Sequence, residues 1–140
     1  MRESAPQRLA MQYARIIDDK AFDDLETIFT PDAIVAAPAF ESNGMTEFRG
    51  QLEFLLTFSG TMHMIGNQIG EWDGDSYKGE TYCVASHIYE LDGVERKMEM
   101  GIRYDDEINL VEGEYKYTRR YLNVVWQQDL PLTDLPPQTD

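Results

Sequence analysis

The sequence predicts an α+β fold in which three helices pack on one side of a strongly curved antiparallel sheet. Apolar residues recur with helical spacing in the first part of the chain, whereas apolar and polar residues alternate from Met62 onward. Three Asp-Gly or Glu-Gly pairs then divide the second half into hairpins: Asp73-Gly74, Asp92-Gly93 and Glu112-Gly113. We expect the helices and the sheet to enclose a cone.

The first helix is predicted from a capping pattern and an apolar face. Ser4 is followed three residues later by Gln7, which is the spacing of a capping box, and Pro6 is tolerated in a first turn. One face of this helix would carry Leu9, Tyr13, Ile16 and Ile17. A second short helix is predicted over Phe22–Phe29 and would end at Thr30-Pro31-Asp32, because proline disfavours helix at the residue before it.

A third helix is predicted from about Gln51 to Phe58, after Gly50, and a brief strand over Ile34–Ala37. Four long strands joined as hairpins follow: about Met62–Trp72, Ser76–Tyr89, Val94–Ile108 and Glu114–Gln127. The chain is therefore expected to form one domain over 1–128, followed by a flexible Pro-rich tail over 129–140.

Composition excludes several classes of function. The chain has 12 basic and 26 acidic residues, a net charge of −14, so nucleic acid and anionic membrane surfaces are poor partners. Cys83 is the single cysteine, and no apolar run is long enough for a membrane helix, which favours a cytoplasmic location. The two histidines show no metal-binding spacing and no nucleotide-binding motif occurs, so neither a metal nor a cofactor is expected.

Both histidines lie on predicted strands. His63 shares a face with Ile65 and Asn67, while His87 shares a face with Cys83 and other small or aromatic residues, as in a mostly apolar cavity. A lone histidine on a half-buried strand is more often structural than catalytic, so residue type alone leaves both readings open. Apolar residues on the outer sheet face would favour a homodimer or trimer.

Asp18 stands where the first helix ends, which is electrostatically the wrong end for an acid. A buried histidine beside it would explain the acid, because a carboxylate fixes the imidazole tautomer and stabilises the imidazolium. The other ring nitrogen would then be free to act as a general base.

Several segments resemble the SnoaL-like proteins of the nuclear-transport-factor-2-like superfamily. They are the stretch Tyr13-Ala-Arg-Ile-Ile-Asp18, then Phe29-Thr-Pro-Asp-Ala33, Thr61-Met-His63-Met-Ile-Gly-Asn67, Gly101-Ile-Arg-Tyr104 and the end at Arg119-Arg120. The likeness covers about residues 5–127. It implies a cystatin-like α+β barrel, a fold that hosts several kinds of enzyme as well as binding modules.

The most similar subgroup contains scytalone dehydratase, bile-acid 7α-dehydratase and hexachlorocyclohexane dehydrochlorinase, which are cofactor-free lyases built on an Asp–His dyad. The resemblance assigns Asp18 and His63 to that dyad. It also implies substrate-binding roles for four further residues: Tyr13, Asn67, His87 and Arg120. No particular substrate carries over.

We therefore expect a cofactor-independent lyase, such as a dehydratase, acting on a small, largely apolar cyclic or aromatic molecule. In this reading His63 removes a C–H proton, Tyr13 or His87 protonates or holds the leaving group, and Arg120 stabilises developing negative charge. Three alternatives stay open. They are an isomerase of the ketosteroid type, a carbon–carbon lyase that releases formaldehyde from an aryl-propane, and a non-catalytic ligand-binding or assembly subunit.

Overall fold

Six strands form one sheet in the computed structural model, which describes residues 1–134. The strands are β1 (Phe29–Ala37), β2 (Phe40–Asn43), β3 (Gly60–Asp73), β4 (Ser76–Leu91), β5 (Val94–Val111) and β6 (Glu114–Pro131). Their order across the sheet is β2-β1-β6-β5-β4-β3, so β2 and β3 are the edge strands. Neighbouring strands are antiparallel except β1 and β6, which run parallel. The predicted α+β class is confirmed.

Helix α1 (Ala5–Asp18) lies against β3 and presents its apolar stripe to the interior, as its periodicity predicts. The stripe is buried and includes Leu9, Tyr13, Ile16 and Ile17. The capping-box prediction is wrong, because the Ser4 hydroxyl donates to the carbonyl of Met1 and caps no helical amide. Packing of the apolar stripe thus replaces local capping as the main stabilisation of α1.

The segment after α1 differs from the predicted second helix. Phe22–Thr27 forms a 3-10 helix, and Phe29 already begins β1. Pro31 lies inside β1 rather than at a helix end. It falls between Phe29 and Ile34, where the pairing of β1 with β6 is irregular. Proline is compatible with such a position because no ladder hydrogen bond is required from it.

The predicted third helix is also displaced. Helix α2 (Met45–Leu52) begins before the predicted start, and a 3-10 helix (Glu53–Thr57) covers the rest of the predicted range. Gly44 precedes α2 with φ of +94°, and a Cβ there would lie 2.9 Å from the carbonyl oxygen of Pro31. A glycine is needed at this turn, and it directs the chain from β2 into α2.

Strand β6 continues past the predicted end of the domain. Asp129 accepts a hydrogen bond from Arg96 on β5 at 2.9 Å, and Pro131 is still in register with Arg96. The prediction of a flexible tail from residue 129 is therefore wrong for residues 129–131, because these residues pair with β5. Pro136 and Pro137, on which the tail prediction also rested, lie outside the described residues.

The outer face of the sheet exposes several large apolar side chains, including Met62, Met64, Val125 and Trp126. Association into a homodimer or trimer through this face stays a prediction. Within residues 1–134, neither α-helix has the length and apolarity needed to cross a bilayer.

Candidate active site

The candidate site is centred on a contact between the end of α1 and the edge strand β3. Asp18 is the last residue of α1, and its Oδ1 lies 2.7 Å from Nδ1 of His63. The backbone amide of His63 donates to Oδ2 of the same carboxylate at 2.9 Å. The hydroxyl of Thr61 donates to Oδ1 at 3.0 Å. Because β3 is an edge strand, part of its backbone is free to bind a side chain from α1.

The three donors decide the charge of Asp18. Burial alone would raise the pKa of Asp18, but the hydrogen bonds from the His63 ring, the His63 amide and Thr61, together with the charge of His63, outweigh it and lower the pKa. The carboxylate is therefore ionised near neutral pH. An ionised acceptor fixes the proton of His63 on Nδ1 and leaves Nε2 as the bare nitrogen.

His63 forms part of the wall of an interior cavity of about 470 Å³. Its side chain is only 6% exposed, and its Nε2 has no hydrogen-bond partner among the described residues. The lining is mostly apolar and comes from α1, α2 and the inner face of the sheet. It includes Ile17, Phe40, Phe48, Leu52, Leu55, Ala85, Met98, Met100, Ile102 and Leu122. A volume of this size is typical of sites for small organic ligands.

A wider outer groove of about 910 Å³ runs between α1 and β3 and is lined by Asp18 and His63 as well. His63 lines both spaces and therefore lies between the groove and the interior cavity. The groove contains charged side chains such as Glu3 and Arg15 and is more open, so the interior cavity is the better candidate for binding an apolar substrate.

Two tyrosines lie in the lining of this cavity. Tyr13 lies with its ring centroid 6.3 Å from that of His63, and Tyr104 lies 5.7 Å from Tyr13. Burial raises the pKa of Tyr13 to about 12, although the nearby Arg120 charge opposes the shift. Burial likewise raises the pKa of Tyr104. Both phenols are therefore neutral hydrogen-bond donors at physiological pH.

His87 also lies in the cavity wall, as the strand pattern indicated. Its ring centroid is 6.1 Å from that of His63 and 5.1 Å from that of Phe58. Its Nδ1 is 3.1 Å from the carbonyl oxygen of Met98. Burial lowers the pKa of His87 and the charge of His63 adds to this, while the Met98 carbonyl and Asp18 oppose it.

The predicted direct role of Arg120 is not supported by its position. The Arg120 side chain is fully buried, and its Nε donates to Asp106 Oδ1 at 2.7 Å. Its guanidinium carbon lies 4.3 Å from the ring centroid of Tyr13 and 3.7 Å from that of Tyr104. These two rings line the cavity and Arg120 does not. Arg120 therefore supports the cavity wall from behind.

The position of Asn67 does not support its predicted substrate-binding role, for a reason of register. Ile65 pairs with Cys83 and Gln68 pairs with Thr81, so Gly66 and Asn67 together face a single residue of β4. This bulge reverses the alternation, which turns Gln68 inward and leaves Asn67 exposed and outside the cavity lining. A glycine inside a strand pattern is a signal for such a bulge.

Sequence reasoning assigned no role to Thr61, Tyr104 or Asp106. Tyr104 lies two residues after Ile102 on β5 and therefore shares its inward face, so its position could be predicted from the alternating pattern. Thr61 acts through a contact 43 residues away in sequence, which no local signal indicates. Within residues 1–134, no three acidic, histidine or cysteine side chains are grouped closely enough to hold a metal ion.

Comparison with known proteins places this geometry in context. Residues 3–121 match the family model of the SnoaL-like domain. An uncharacterized protein of Mycobacterium tuberculosis is 27% identical over 117 residues, which cover 81% of this chain and 79% of that protein.

Two solved structures share the fold. A protein of Novosphingobium aromaticivorans with a provisional assignment as scytalone dehydratase superposes with a TM-score of 0.81 at 24% identity, covering 96% of this chain and 91% of that chain. A type 3 hexachlorocyclohexane dehydrochlorinase of Novosphingobium barchaimii gives a TM-score of 0.78 at 16% identity, covering 96% and 94%. At these identities the likeness establishes the fold.

Proposed function

Because the chain belongs to the SnoaL-like domain family, we propose that it is a lyase acting on a small, largely apolar cyclic or aromatic molecule, with His63 as the base and Asp18 as its partner. The observation that carries the proposal is the 2.7 Å contact between Asp18 and His63, whose ring lies in the wall of an apolar cavity. An acid at the C-terminal end of α1 is unfavourable for the helix dipole, so its pairing with a histidine calls for a functional reason.

The proposed reaction is an elimination. Nε2 of His63 removes a proton from a substrate carbon, the electron pair of that C–H bond forms a carbon–carbon double bond, and the bond to the leaving group breaks. The ionised Asp18 stabilises the imidazolium that results and keeps the ring in the productive tautomer. A positioned base contributes typically ~10²–10⁴-fold to the rate.

The leaving group is held by the phenol of Tyr13. With a pKa of about 12, Tyr13 keeps its proton and donates a hydrogen bond to the departing oxygen. The proton taken up by His63 then completes the leaving water molecule, so the proton balance closes without a cofactor. The apolar lining excludes bulk water and strengthens both interactions.

Two structural neighbours support the choice of an elimination, because a dehydratase and a dehydrochlorinase are named for the loss of water and of hydrogen chloride. These names describe those proteins. For this chain they select the reaction class to be tested first.

The test compares variants on a substrate found by screening cyclic alcohols and halides. We expect Asp18→Asn and His63→Gln each to lower kcat by roughly 10²–10⁴-fold while the fold is retained, as judged by circular dichroism. Asp19→Asn is the matched control, because Asp19 is the next residue, is exposed and pairs with Arg15. Unchanged turnover in both dyad variants would contradict the proposal.

The mass of the product separates the alternatives. Loss of water or hydrogen halide indicates the proposed lyase, and loss of formaldehyde indicates a carbon–carbon lyase. A product of unchanged mass indicates an isomerase of the ketosteroid type. Ligand binding in the cavity without turnover of any substrate indicates a non-catalytic binding protein.

A further inference from the structure

The second histidine of the cavity is held in a defined tautomer. The carbonyl oxygen of Met98 can only accept a hydrogen bond, so Nδ1 of His87, 3.1 Å away, must carry the proton. In the neutral ring Nε2 is then a bare lone pair. Register explains the contact, because His87 and Met98 are directly paired between β4 and β5.

His87 stays neutral because of its surroundings. Burial lowers its pKa, and the nearby His63 adds to this effect, although the Met98 carbonyl and Asp18 act in the opposite direction. Phe58 packs on the ring at 5.1 Å between centroids. A neutral ring with Nδ1–H bonded to a carbonyl has a free acceptor and no free donor, so this arrangement favours accepting a hydrogen bond over the predicted protonation of a leaving group.

Nε2 of His87 has no hydrogen-bond donor from the described part of the protein. No side chain or amide in residues 1–134 hydrogen-bonds to Nε2 of His87, and the ring is part of the cavity wall. The residue itself is only 4% exposed. Nε2 of His87 is not one of the fully buried unpaired atoms of the described residues, so it is accessible from the cavity. A ligand that covers this nitrogen without supplying a donor leaves it unpaired, so a ligand that supplies a donor binds better.

We propose that His87 is a specificity-determining residue that selects ligands carrying a hydroxyl group, which Nε2 accepts and which the reaction retains. The inference rests on the proposed function, because it takes the cavity as the substrate site. The hydroxyl is retained because an acceptor stabilises the O–H form and gives no help to its departure. The substrate class is therefore a hydroxylated ring compound with a separate leaving group near His63.

The experiment measures binding with three probes of the same ring system: 2-naphthol, 2-methoxynaphthalene and naphthalene. Their own fluorescence gives the dissociation constants. We expect the wild-type protein to bind 2-naphthol at least about tenfold more tightly than either other probe, which corresponds to about one net hydrogen bond.

Variants assign the preference to one atom. We expect His87→Phe, which keeps an aromatic ring but removes the acceptor, to reduce the preference to within about threefold. Met98→Leu is the matched control, since it alters the same cavity wall but keeps the backbone carbonyl, and it should retain the preference. Equal binding of the three probes, no binding of any probe, or a preference that survives His87→Phe would overturn the inference.

A measurement on the unmodified protein keeps the test valid if His87→Phe does not fold. Nitrogen-15 NMR of labelled histidine should show His87 protonated on Nδ1 and bare on Nε2 at neutral pH, with the Nε2 resonance moving when 2-naphthol binds. A protonated Nε2 would refute the inference.

Failure of the proposed function has a different signature. Probe binding requires no turnover, so the preference for 2-naphthol persists in Asp18→Asn even though this variant should lose activity. A preserved preference together with undiminished turnover in the dyad variants would reject the lyase mechanism while leaving the role of His87 intact.

Discussion

Replacing Asp106 with asparagine tests the buried ion pair behind the cavity. The Arg120 and Asp106 side chains are 0% and 2% exposed, and two hydrogen bonds join them at 2.7 and 3.3 Å. Asp106 also accepts a hydrogen bond from Thr81 at 2.8 Å. Asp106→Asn preserves the size of the side chain but leaves the Arg120 charge without a counter-ion. Burial would lower the pKa of Arg120, but Asp106 outweighs it and keeps the guanidinium charged.

We expect Asp106→Asn to lower the free energy of unfolding by a large amount. Removing one partner of a buried ion pair costs about 3–5 kcal/mol. At about 2.1 cal/mol/K per residue, a chain of 140 residues has an unfolding entropy of about 0.3 kcal/mol/K, so Tm should fall by about 10–17 °C. Differential scanning calorimetry measures the shift directly.

Asp105→Asn is the control for this prediction, because Asp105 is adjacent, exposed and bonded to Asn123 at 2.9 Å. Its Tm should change by about 2 °C or less, as for ordinary surface substitutions. A drop in Asp106→Asn no larger than in the control would refute the reasoning. The double variant Asp106→Leu with Arg120→Met should recover much of the loss, because it removes both buried charges together.

Three further predictions follow from single positions. Burial lowers the pKa of His87 in the folded state, so the unfolded state binds more protons in acid; the associated stability is present above about pH 6.5 and is lost as pH falls. We therefore expect His87→Phe to show a smaller fall in Tm than the wild type between about pH 7 and about pH 5. Gly79→Ala should destabilise by about 1–3 kcal/mol in urea unfolding, because the added Cβ would lie 2.6 Å from the carbonyl oxygen of Ile69. Gly66→Ala is its control, since the nearest atom there is 3.5 Å away, and similar losses in both would argue against a steric cause. Asn67→Ala should leave turnover unchanged and stability within about 0.5 kcal/mol, because the side chain is exposed; a loss of activity would show that it reaches substrate.

The features that could be predicted from the sequence are those encoded locally. The three hairpin turns could be predicted from residue type, because each contains a glycine with positive φ: Gly74, Gly93 and Gly113. The buried face of α1 followed from its 3.6-residue period. The ends of β5 and β6 were placed too early, because their extension depends on hydrogen bonds between strands rather than on their own residues.

The candidate site depended on contacts that no local pattern encodes. Asp18 and His63 are separated by 45 residues, and the alternation on β3 allowed His63 to face either side. The resemblance to the family supplied the choice that periodicity could not make. Beyond Ile65 the alternating pattern predicts the wrong face even if the face of His63 is chosen correctly, since the bulge reverses the alternation and exposes Asn67.

The two histidines show how the partner of one nitrogen decides the chemistry of the other. Both rings lie in the same cavity wall with Nδ1 bonded, yet His63 faces a carboxylate and His87 faces a carbonyl. A carboxylate stabilises a protonated ring, so His63 can accept a proton and hold it during the reaction. A carbonyl fixes the tautomer with little compensation for a buried positive charge, so His87 can only accept a hydrogen bond. Removal of the Asp18 charge would give both rings an uncharged partner at Nδ1, which is why Asp18→Asn should slow proton transfer strongly while leaving ligand recognition by His87 in place.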